Sequence, residues 1–67
     1  MEKQKENTMP RLIRMSETIH RTGLSKSSIY DLMAQGRFPK TVRLGGRAVA
    51  FVEDEINHWI EDRIAAR

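Results

Sequence analysis

A stop signal and a start signal for helices stand almost back to back in this chain: Gly23 is followed by Leu24 alone and then by Ser25. Glycine ends a helix because it adopts the left-handed conformation without steric cost. Serine begins one by offering its side-chain oxygen to the free N–H groups of the first turn. Two helices joined by so short a link cannot run side by side and must cross sharply. That is the geometry of a helix-turn-helix.

The second helix, Ser25 to Gln35 with Gly36 closing it, has Ile29, Leu32 and Met33 at spacings of three and four, which marks an inward stripe. Leu24 is placed to fold over Ile29 as a hydrophobic staple. The outward side carries Ser27, Asp31 and Ala34, flanked by Ser28, Tyr30 and Gln35. Taken alone, that side is an ordinary solvated face. The first helix is expected to start at a Ser16 cap and to run to about Thr22, with Glu17 favourably placed in its first turn.

Upstream, residues 11–15 alternate arginine with apolar groups over too short a span for a helix and are read as a short strand. Downstream, Phe38 is a candidate core plug, and Thr41–Leu44 and Ala48–Phe51 flank Gly45-Gly46, a pair suited to a tight hairpin turn. A two-residue turn there sets Val42 opposite Val49, with Leu44 and Phe51 on the same apolar face. Asp54 is the expected cap of a last helix to about Ala65, whose inward stripe is Ile56, Trp59, Ile60 and Ile64.

With 67 residues the chain builds one small domain over residues 11–67, preceded by a polar, aperiodic arm over residues 1–10 that is expected to be disordered. There is no cysteine, hence neither a disulfide nor a thiolate metal site. No apolar run approaches the roughly 18 residues of a membrane span, and the arm lacks the apolar centre of a signal peptide. The expected location is cytoplasmic, without a membrane partner. No catalytic constellation is visible: His20 and His58 lie in different helices, and Asp54, His58 and Asp62 read as a solvated helix face rather than a metal site. Neither an enzyme nor a cofactor is expected.

The net charge is +3, but its distribution says more. Between residues 11 and 47, eight bases face only Glu17 and Asp31, whereas from residue 53 onward five acids face Arg63 and Arg67. A basic body with an acidic back suits a polyanion. Together with the helix-turn-helix and a basic hairpin, it suggests a mainly α fold with a small β-hairpin wing, the winged helix-turn-helix. The second helix would enter the major groove of double-stranded DNA, and the wing would reach the backbone. Ser27, Ser28, Tyr30 and Gln35 are the candidates for base edges or phosphates. Arg43 and Arg47 are placed to neutralise phosphate from the wing, and Lys26 to touch the backbone. Ser25, Arg37 and Lys40 complete the candidate surface.

Residues 22–30 (TGLSKSSIY), 36–40 (GRFPK), 42–49 (VRLGGRAV), 53–56 (EDEI) and Trp59-Ile60 together resemble the AlpA-type phage transcriptional regulators, small winged-helix proteins related to excisionases and MerR-like DNA-binding domains. The resemblance runs from about residue 11 to residue 66. It implies control of prophage or mobile-element genes, with Ser25–Tyr30 in the reading helix and Arg43–Arg47 in the wing. Two positions depart from the pattern. Asp31 stands where relatives carry a base and could accept a hydrogen bond from cytosine, and Phe51 replaces a tryptophan. An excisionase-like architectural role on the same fold is the alternative reading, and a protein-interaction adaptor the third. So small a reader implies self-association on repeated half-sites.

Overall fold

In the computed structural model, which describes residues 10–67, the short link forms the expected corner. The expected arm over residues 1–10 lies, Pro10 apart, outside the described residues. The elements are β1 (Leu12–Ile13), α1 (Met15–Thr22), α2 (Lys26–Ala34), β2 (Val42–Gly45), β3 (Ala48–Val52) and α3 (Glu53–Ala65). Gly23 turns the chain at φ 74°, and its N–H donates to the Ile19 carbonyl at 2.9 Å. The Thr22 hydroxyl donates to the Thr18 carbonyl at 2.9 Å and accepts from the Leu24 N–H at 3.2 Å. Ser25 caps α2 by accepting from the Ser28 N–H at 3.1 Å. The corner thus leaves few backbone groups without partners. At the other end of α2, the Gly36 N–H reaches the Met33 carbonyl and the Arg37 N–H the Leu32 carbonyl, a Schellman closure.

The other two helices are capped two residues earlier than expected. Arg14, not Ser16, is the N-cap of α1, and no side chain caps it. The start at Met15 puts Met15 and Ile19 one turn apart, both packed against the core. The buried Thr18 hydroxyl donates to the Arg14 carbonyl at 3.0 Å. Likewise Val52, not Asp54, is the N-cap of α3. The Glu53 N–H donates to the Arg11 carbonyl at 2.7 Å, so pairing with the first strand satisfies a donor that a side-chain cap would otherwise have to serve.

β3 is the middle strand of a three-stranded antiparallel sheet of order β1-β3-β2. Ile13 pairs with Phe51 on one side. On the other, Val42 pairs with Ala50, Arg43 with Val49 and Gly45 with Ala48. The turn therefore lies at Gly46-Arg47, one residue beyond the expected Gly45-Gly46, and Leu44 is the extra residue of an irregularity between Arg43 and Gly45. A one-residue slip moves side chains to the opposite face. Leu44 is accordingly 47% exposed and Val42 36%, while Ala50, expected outward, is fully buried.

Ile29 of α2, Phe51 of β3 and Ile56 of α3 are fully buried and meet Ile13 and Phe38 in one core. Burial of each such side chain contributes about 1.5–3 kcal/mol. Phe38 plugs the core as expected, with its ring edge-on to Phe51 at 5.6 Å and to Trp59 at 5.0 Å. Trp59 packs on the core from α3 and donates to the Arg37 carbonyl at 3.0 Å. Ile64, counted in the apolar stripe, is 53% exposed in the last turn of α3. Three helices, a three-stranded sheet and a protruding β2–β3 hairpin make a winged helix-turn-helix.

The cap at the corner yields a first prediction. Ser25→Ala should lower unfolding free energy by about 1 kcal/mol and Ser25→Gly by only a few tenths, as read by chemical denaturation. Equal losses would mean that the serine oxygen does not act as the cap.

Candidate nucleic-acid interface

The inward residues Ile29, Leu32 and Met33 fasten α2 to the core, which turns Lys26, Ser27, Tyr30, Asp31 and Ala34 outward. All five are exposed. Gln35 and Arg37 are exposed at its C-terminal end, where the Arg37 guanidinium reaches the Gln35 amide oxygen at 3.5 Å.

The candidate residues do not form one continuous set. Lys26 and Tyr30, one turn apart on α2, line an open cleft of about 470 Å³ with Arg47 at the wing tip. Arg14 and Ser16, at the start of α1, line the same cleft. Neither was a sequence-derived candidate, because a cleft between chain-distant elements leaves no local pattern. The alternation of arginine with apolar groups in residues 11–15 was its one trace. Arg43 is exposed on β2, paired with Val49. Ser25 is spent on the cap and also donates to the Ser28 hydroxyl at 2.9 Å, so these two serines are tied to each other. Lys40 lies elsewhere, in a groove against α3 shared with Glu55, His58 and Asp62. Arg37 faces α3 as well, beside Trp59 and Arg63.

Arg21, one of the eight bases of the basic stretch, is engaged internally. Its guanidinium contacts Glu17 at 2.8 Å, Glu53 of α3 at 2.9 Å and the Asn57 amide oxygen at 3.3 Å. The hydrogen bond from Arg21 holds the Glu17 carboxyl below its ordinary range, and the bonds to Glu17 and Glu53 push the guanidinium pKa upward. This pairing binds α1 to α3 and keeps two carboxylates occupied away from the cleft. Among the described residues, no group of three or more histidine, cysteine or acidic side chains is gathered as metal ligands. Nor is any helix long and apolar enough to cross a membrane.

A helix-turn-helix with its second helix laid bare, a basic hairpin beside it and an acidic helix behind defines a small winged-helix regulator. The chain belongs to the family described as Prophage CP4-57 regulatory protein (AlpA), which matches residues 11–64. It is 45% identical over 60 residues to the uncharacterized protein ORF88 of Enterobacteria phage P4, covering 90% of this chain and 68% of that one. It is 32% identical over 59 residues to the DNA-binding transcriptional activator AlpA of Escherichia coli (strain K12), covering 79% of this chain and 84% of that one. No solved structure matches with comparable significance.

The Glu17–Arg21 contact gives a second prediction. A carboxyl whose folded-state pKa is depressed adds stability that is present above its unfolded value, about 4.3 for glutamate, and lost as pH falls through the lower folded value. Between about pH 5 and 3 the thermal midpoint should therefore fall more steeply for the wild type than for Glu17→Gln. Parallel curves would mean that the ion pair adds nothing in solution.

Proposed function

We propose that this protein is a sequence-specific DNA-binding transcriptional regulator of prophage or mobile-element genes, with α2 in the major groove and the β2–β3 wing on the backbone. The observation that carries this reading is the union of Lys26 and Tyr30 on the bare side of α2 with Arg47 of the wing in one cleft. A helix of this width fits the major groove, and groove-edge hydrogen bonds distinguish all four base pairs. Ser27 and Asp31, outward and exposed, are the base-reading residues; Lys26, Arg43 and Arg47 hold the backbone. Family membership and the likeness to the DNA-binding activator of Escherichia coli support the same reading.

A reading helix of nine residues reaches few base pairs. Useful specificity then comes from two or more copies on tandem or inverted half-sites.

The deciding experiment is selection of bound sequences from a random duplex pool with purified protein. A recovered motif is expected, bound with an affinity that falls steeply as salt rises, since each neutralised phosphate adds about 0.9 to the slope of log affinity against log salt. Affinity independent of salt would remove the basic surface from the contact. Arg47→Ala should weaken all duplexes alike and reduce that slope by about 1. Ser27→Ala should instead cost about 1 kcal/mol at one base position and leave the slope unchanged. The reverse pattern would exchange the roles of helix and wing.

A further inference from the structure

We infer that the cleft between the start of α1, the first two turns of α2 and the wing tip is a seat for a single backbone phosphate of duplex DNA, with Arg14 as a principal ligand. The inference rests on the DNA-binding reading above and deepens it.

Three cations from separate parts of the chain converge there: Arg14 before α1, Lys26 at the start of α2 and Arg47 between β2 and β3. Gathering like charges in one concavity opposes folding, and an anion in their midst offsets that cost. The other polar side chains lining the cleft are Ser16 and Tyr30. Guanidinium, ammonium and hydroxyl groups all supply hydrogen-bond donors, which matches a ligand that offers only acceptors. Met15 and Val49 supply apolar wall suited to the sugar beside such a phosphate.

Among the described residues, none lining the cleft is acidic. Two acids adjoin lining residues in sequence: Glu17, beside Ser16, is held by Arg21 at 2.8 Å, and Asp31, beside Tyr30, is exposed on α2 and does not line the cleft. The groove of similar size on the α3 side, about 480 Å³, is the counter-case: Lys40 there is matched by Glu55 and Asp62, so a phosphate would gain little. At about 470 Å³ the basic cleft has room for a sugar-phosphate unit and excludes a whole duplex.

The geometry also reassigns Tyr30. Its place in the cleft makes its hydroxyl a donor to the backbone rather than a reader of base edges. A strand passing between α2 and the wing would be gripped from three sides at one phosphate, which sets how deeply α2 enters the groove. Arg14 and Arg47 then act on the same atoms, although 33 residues separate them in the chain.

The test uses a duplex carrying the selected motif, with a neutral methylphosphonate placed at one linkage at a time. At one linkage the wild type should lose about tenfold in affinity, roughly the worth of a charge-assisted contact. Arg14→Gln, which keeps the main-chain carbonyl that serves Thr18, should lose about as much on the unmodified duplex. On the duplex neutralised at that linkage, neither Arg14→Gln nor Arg47→Ala should lose anything further. Arg14→Lys should recover part of the affinity, and Tyr30→Phe should weaken binding without changing the selected motif.

If Arg14→Gln binds every probe like the wild type, or if Arg14→Gln and Arg47→Ala are rescued at different linkages, the single seat is wrong while DNA binding stands. Failure of the wild type to bind any duplex removes the DNA-binding reading itself, and the seat with it. Displacement of the duplex by millimolar inorganic phosphate at fixed ionic strength would make the cleft a site for a free anion, which also overturns the inference.

Discussion

Everything this structure offers to a partner depends on the corner at Thr22, Gly23 and Leu24. A chain that ends one helix and begins the next within so few residues leaves the backbone groups of both helix ends in need of partners. Here the Thr22 hydroxyl serves two of them at once, Gly23 returns a hydrogen bond to Ile19, and Ser25 takes up the first turn of α2. With those groups satisfied, the direction of α2 is set before any side chain outside the corner is considered. Ile29 then anchors it to Phe51 and Ile56.

Charge is arranged around that frame so that attraction and cohesion do not compete. Most bases of the first two-thirds of the chain remain exposed, but Arg21 is turned inward to join Glu17 and Glu53. This pairing links the first and last helices and takes up two carboxylates that would otherwise weaken the pull on a polyanion. Of the remaining acids of α3, Glu55 and Asp62 share a groove with Lys40, and none of the four lines the basic cleft. A small protein can thereby be strongly directional at a modest net charge of +3.

How much of this was legible beforehand follows the range of the interactions. The Ser25 cap, the glycine stops, the apolar stripe of α2 and Phe38 as a core residue were readable because each depends on neighbours within a turn or two. The starts of α1 and α3 were misjudged by two residues because the deciding partners, the core around Met15 and the Arg11 carbonyl facing Glu53, come from elsewhere in the fold. The hairpin register failed similarly. Gly45-Gly46 offers two adjacent positions for a turn, and pairing with the middle strand β3 selected the later one.

By itself, then, the sequence determined the succession of elements, the crossing of the two central helices and the basic and acidic halves, since caps, periodicity and charge are local properties; its motifs also carried the resemblance to AlpA-type regulators. Tertiary structure alone decided which bases lie together. It withdrew Arg21 into an internal pair, set Lys40 among carboxylates and brought Arg14 to Lys26, Tyr30 and Arg47. The physical reason is that a cleft is made of distances between residues far apart in the chain, and only the packing of the core sets those distances.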